Sequence, residues 1–173
     1  MTDPLPPASE PVQAPLPEGR IEGRKAFVDL IRTVLGAAAQ GGWTRMVWSD
    51  PDFLDWPLGE RATVEALHEW SAQGRSLHLI ATDFSDLRLA HPRFVQWRMT
   101  WSHIVEARAT GRAAGGDLPS ALWTPNWTME RLDTTRSTVV ATADPSRRVL
   151  LGERLDNWWQ KSSPSFPASV LGL

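Results

Sequence analysis

The chain has 173 residues, 42% of them apolar, and a net charge of −2, which suits one domain with its own core. That charge balance supplies no global attraction to polyanions, so neither nucleic acid nor an anionic membrane surface is an expected partner. The absence of cysteine excludes disulfides, thiolate metal sites, cysteine nucleophiles and iron–sulfur clusters, and it fits a reducing compartment.

The first twenty residues contain six prolines and few large apolar side chains. They bury too little surface to offset chain entropy, which predicts a disordered arm over 1–20 and a single domain over 21–173. The arm lacks the basic start and apolar centre of a secretory signal, and no apolar run approaches the ~18 residues of a membrane span. A cytoplasmic location follows as the expectation.

From Lys25 the pattern turns helical: Phe27, Leu30, Ile31, Val34, Leu35 and Ala38 recur at three- and four-residue steps, and Gly41-Gly42 ends the run. Trp43 to Trp48 reads as a short strand, followed by the loop SDPDFLDWPLG. A second helix over Glu60–Gln73 buries Val64, Leu67 and Trp70, and Ser76–Ala81 is a second buried strand. A loop through Asp83–His91 leads to Pro92, suited to the first turn of a helix whose stripe is Phe94, Trp97 and Trp101.

His103–Ala109 reads as a strand and Gly111–Gly116 as a loop. Ser120–Thr124, Thr128–Leu132 and Ser137–Ala143 follow as three more strands. Asp144-Pro145 supplies an N-cap and a first-turn proline for a closing helix that carries Leu151, Leu155, Trp158 and Trp159 on one face and stops at Ser163-Pro164. Adjacent helical residues diverge by ~100°, so the two tryptophans cannot both point fully inward. Early alternation of helices and strands, then strands too close for crossovers, predicts an α/β fold: a mixed β-sheet flanked by helices.

This element order, with WSDPDFLD after the first strand, SLHLIATD at the second and LDNWWQKSSP at the end, resembles one half of the phospholipase D-like fold. It looks most like the degenerate bacterial domains of that type, over residues 25–173. The active family carries a His-x-Lys with an acidic residue five positions after the lysine, once in each of two halves. One histidine attacks phosphorus, the other protonates the leaving group, and the lysines neutralise the phosphate. One alignment places Pro119, Ala121 and Asn126 at those positions, and another places Ser137, Val139 and Asp144. None of His68, His78, His91 and His103 is followed two residues later by lysine, and no histidine follows residue 103. The resemblance thus implies a fold without its nucleophile.

Other chemistry is sparse. There is no HExxH, no histidine pair at ligand spacing, no phosphate-binding glycine loop and no GxSxG elbow, so no metal, cofactor or catalytic residue is assigned. Each histidine suits a structural or surface role. Trp97 and Trp101, with Arg98 and Arg108 nearby, suggest a stacking platform for nucleic acid, but their helical spacing fits core packing better. Asp50, Asp52 and Asp55 cluster after one strand, and Asp83 and Asp86 after the next. Both groups suit ordinary turn chemistry. In an open α/β sheet they also border the crevice at the strand ends, which makes Asp50 and Asp83 the candidate ligand contacts.

Two functions fit these features. One is a non-catalytic interaction or ligand-binding module on a phospholipase D-like half; the resemblance implies a homodimer and a protein partner such as an acetyltransferase. The alternative is a phosphodiester-binding or hydrolysing enzyme using non-standard residues.

Overall fold

The computed structural model describes residues 14–112 and 117–168. Eight strands form one sheet in the order β1-β7-β6-β5-β2-β3-β4-β8. Its parallel centre comprises β2 (Arg45–Ser49), β3 (Ser76–Ala81) and β4 (Val105–Ala109). Their crossovers carry α1 (Arg24–Gly41) before β2, α2 (Arg61–Trp70) before β3, and α3 (Ser85–Ala90) with α4 (Pro92–Thr100) before β4. The other strands are β5 (Ser120–Trp123), β6 (Thr128–Asp133) and β7 (Thr138–Thr142), an antiparallel meander hydrogen-bonded to the other side of β2. Two short edge strands, β1 (Gly19–Ile21) before α1 and β8 (Ser163–Pro164) after α5 (Pro145–Lys161), close the two ends of the sheet. The expected mixed α/β sheet is the observed one.

The period-two alternation of the strands sorts their side chains onto two faces. Met46, Trp48, Leu77, Leu79, Leu122 and Met129 face the larger core, which they share with the apolar stripes of α1, α2 and α4. Trp48, Trp56, Trp70 and Trp97, four of the ten tryptophans, lie fully buried there and supply large packing area. Val47, Ile80 and Ala121 face the opposite way, into a smaller cluster closed by Leu151 and Leu155 of α5. Trp158 and Trp159 both sit half-buried beside it. Trp97 belongs to the main core, and the half-buried Trp101 donates Nε1–H to Nδ1 of His68 at 3.3 Å, so this stripe is a packing stripe.

Three expectations need correction. Residues 1–13, most of the predicted arm, lie outside the described residues, but residues 14–20 do not behave as a disordered arm. Gly19 and Arg20 pair with β7, the Pro17 carbonyl accepts Nε1–H of Trp127 at 2.9 Å, and Glu18 Oε1 accepts the Ala143 N–H at 2.7 Å. A proline-rich segment without a core of its own is ordered by an open sheet edge, to which it offers backbone groups. The loop over Asp83–His91 contains a six-residue helix, α3, whose single buried residue is Leu87. Ser163-Pro164 ends α5 as expected but is itself an edge strand on β4. Most of the predicted GRAAGG loop, residues 113–116, lies outside the described residues.

Candidate functional site

Asp50 follows the last residue of β2, and its position in the strand alternation turns it toward the main core. It is 1% exposed. Its Oδ1 accepts the backbone N–H groups of Asp52 and Phe53 at 3.1 and 2.8 Å. Its Oδ2 accepts Trp56 Nε1–H at 3.0 Å, the Ser120 hydroxyl at 2.6 Å and Arg131 Nη2–H at 2.9 Å. Arg131, on β6, also donates to Ser120 Oγ at 3.1 Å and Asp55 Oδ2 at 2.9 Å, and its guanidinium lies 4.4 Å from the Phe27 ring centre. A carboxylate offers about four lone-pair sites, and five donors already converge on this one. Its chemistry is spent on joining the β2 loop to β5 and β6.

The neighbouring acids have separate duties. Asp52 accepts the Leu54 N–H at 2.9 Å; burial, together with the charges of Asp50, Asp55 and Asp86, pushes its carboxyl above the usual range. Asp55 is shared between Arg131 and Arg24. Asp83 lies in the adjoining loop, where the Thr82 N–H reaches the Pro51 carbonyl at 3.1 Å. It turns the other way, accepting the Ser85 N–H at 3.0 Å and pairing with Arg112 at 3.2 Å. Those contacts, the Ser85 amide first, hold it below the usual carboxylate range. The two loops meet, but the two candidate carboxylates do not share a space: Asp50 points into the protein and Asp83 toward solvent.

Arg131 received no role from sequence, although its phase was readable. Met129 and Arg131 alternate along β6, so an inward methionine predicts an inward arginine, and a buried arginine requires an acid.

In the first alignment, the positions that the resemblance marks for phosphoryl transfer lie just before β5, on it and in the hairpin after it. The Pro119 carbonyl accepts the buried Ser49 hydroxyl at 2.6 Å. Ala121 is 0% exposed and packs with Ile80, Leu151 and Leu155 beneath α5. Asn126 is exposed at the β5–β6 turn. In the other alignment Ser137 and Val139 are buried, and Asp144 caps α5. The histidines are equally occupied: His91 bonds the Phe53 carbonyl at 2.9 Å, and His68 meets Trp101.

A cleft of about 330 Å³ lies between the sheet and α5, lined by Arg45, His78, Trp123, Arg148, Asp156 and Trp159 among others. The His78 ring stacks on Trp159 with centroids 4.2 Å apart, while Arg45 lies 5.3 Å from the Trp123 ring centre. Burial, with Arg45 and Arg108 adding to it against Glu106, pushes the His78 imidazole below its usual range. Gly152 gives this cleft its shape. A methyl group there would sit 3.1 Å from Trp123 Nε1, the atom that donates to the Arg148 carbonyl at 2.9 Å. The sequence supplied a weak signal for the site: one glycine inside a helix rich in tryptophan.

The whole fold is similar to that of TrmBL2, described as an archaeal chromatin protein with a novel mode of DNA binding. The TM-score is 0.63 at 16% identity, covering 88% of this chain and 56% of that one, so this chain spans little more than half the chromatin protein's length. The fold is similar as well to Nuc from Salmonella typhimurium, a phospholipase D family member, with a TM-score of 0.51 at 10% identity, covering 77% of this chain and 89% of that one. At such identities the likeness is one of fold, and that fold is phospholipase D-like. No protein-family profile and no curated protein sequence matches the chain.

Proposed function

We propose that this chain is a cytoplasmic, non-catalytic interaction or ligand-binding module built on a degenerate phospholipase D-like half, with its ligand in the cleft beneath α5. The observation that carries this reading is Ala121. Where the resemblance asks for a phosphate-neutralising lysine, a methyl group lies fully buried under Leu151 and Leu155. A lysine there would bury its charge without an acid partner. The cleft, by contrast, offers what small-ligand sites use: apolar walls with a few charged groups at the rim. A related fold in a DNA-binding chromatin protein supports a binding role without catalysis, and it makes nucleic acid a ligand to be tested rather than dismissed.

The alternative, hydrolysis through Asp50 and Asp83, rests on Asp83 alone as an accessible carboxylate beside a cation, Arg112. The test is turnover of a generic phosphodiester, bis(p-nitrophenyl) phosphate, by the wild type beside Asp50→Ala and Asp83→Ala. A rate at the buffer background is expected. Turnover that survives repurification and disappears in Asp83→Ala would overturn the non-catalytic reading. Sedimentation across a range of concentrations checks the proposed homodimer, and co-purification with a candidate acetyltransferase checks that partner.

A further inference from the structure

Two buried arginines in this protein meet opposite surroundings. Arg131, 5% exposed, is matched by two carboxylates and a hydroxyl. Arg98, on α4 and 6% exposed, has only the Phe166 carbonyl, which accepts Nη2–H at 3.2 Å. Its Nε and Nη1 are buried without any acceptor, and no carboxylate among the described residues pairs with it. The Phe166 ring lies beneath it at 5.6 Å and carries a second cation, Arg88, at 5.0 Å. Burial first, and the Arg88 charge second, pull the Arg98 guanidinium below its ordinary value. A guanidinium taken out of water without a counter-charge is expensive, and native proteins rarely leave its N–H groups unanswered.

Arg98 borders a cavity of about 390 Å³, whose wall also includes Glu106, Ala107, Arg108 and Ser165. The cavity follows the edge of β4, of which β8 pairs only with Arg108 and Ala109. Phe166 holds a left-handed backbone conformation, φ 51°, while its ring stacks on Phe84 at 5.2 Å. That turn pins one donor of Arg98 and leaves the others unused.

We propose that Arg98 anchors a site for a small oxyanion, a phosphate or carboxylate group, held in this cavity by Arg98 with the Ser165 hydroxyl as a further donor. The guanidinium's preference for planar oxyanions supplies the recognition, and its positive charge excludes a metal ion. Glu106 is the opposing charge on the cavity wall, so it weakens anion binding. This site lies at the β4 edge of the sheet and does not depend on the cleft beneath α5.

The experiment titrates the full chain with inorganic phosphate and, separately, acetate, at constant ionic strength against chloride. It follows the arginine Nε–Hε resonances by NMR and the thermal midpoint. Saturable movement of the Arg98 resonance is expected, with a midpoint rise of roughly 5–10 °C at a hundredfold excess over Kd. The stronger of the two ions identifies the oxyanion. Arg98→Lys should lose the response, Ser165→Ala should weaken binding several-fold, and Glu106→Gln should tighten it several-fold. The last two substitutions are on partly or fully exposed side chains, so they report even if changing Arg98 disturbs folding. Equal midpoint shifts with phosphate, acetate and chloride, or an Arg98 resonance that stays still while surface arginines move, would overturn the proposal.

Discussion

Asp50 and Arg131 lie 81 residues apart in sequence and 2.9 Å apart in space. Removing one partner of such a buried pair strands the other, which typically costs about 3–5 kcal/mol. Asp50→Ala should therefore lose stability of that order in urea denaturation, and Asp50→Leu combined with Arg131→Met should recover much of it. A loss below ~1 kcal/mol would mean that the pair does not hold the β2 loop in place. The same experiment guards the functional test, since loss of activity in Asp50→Ala counts only if the variant is folded. Gly152 is the second informative residue. Alanine normally gains about 1 kcal/mol over glycine in a helix interior, but here its methyl would press on the Trp123 indole. Gly152→Ala should be net destabilising by chemical denaturation, and adding Trp123→Leu should turn the same change into a gain.

At the scale of elements, α5 is the piece that makes the smaller face of the sheet a cleft. It starts where the Asp144 carboxylate accepts the N–H groups of Ser146 and Arg147 at 2.8 and 3.2 Å, ahead of a first-turn proline. Those contacts, with the Ser146 hydroxyl foremost, hold the Asp144 carboxyl below its usual range. A carboxyl depressed in the folded state contributes stability that is present above its unfolded pKa and fades as pH falls through the folded one. Asp144→Ala should therefore lower the thermal midpoint at pH 7, with the gap to wild type closing below about pH 4. A gap unchanged down to pH 2 would contradict the capping assignment. α5 was legible because a cap, a proline and an apolar stripe all agree. β1, α3 and β8 were not, because two- to six-residue elements carry no period. β1 and β8 exist only because the sheet offers open edges.

For the molecule as a whole, the weak joint is the packing between the sheet and α5, where a small apolar cluster is bordered by His78 stacked on Trp159. An imidazole whose pKa is lowered on folding favours the native state fully above its unfolded value, near 6.5. Below that pH the unfolded chain takes up the proton more readily, so stability declines as pH falls toward the folded pKa. Wild type should lose stability as pH falls below about 6.5 in urea titrations, and His78→Phe, which keeps the stack, should flatten that part of the profile. Identical slopes for the two proteins would remove His78 from this role.

What the amino-acid order determined by itself was local: helices with long apolar stripes, strands with clear alternation, the capped start of α5, and the absence of any histidine where phosphoryl transfer would need one. Tertiary structure alone decided what each charge is for. Asp50 and Asp83 read alike as loop carboxylates, yet one is sealed against Arg131 and the other faces solvent. Arg98 and Arg131 read alike as cations in amphipathic elements, yet only one is matched by acids. Periodicity reports which way a side chain points, because it is a property of adjacent residues. It cannot report what waits at the other end, because that neighbour comes from a distant part of the chain and is supplied only when the sheet is assembled.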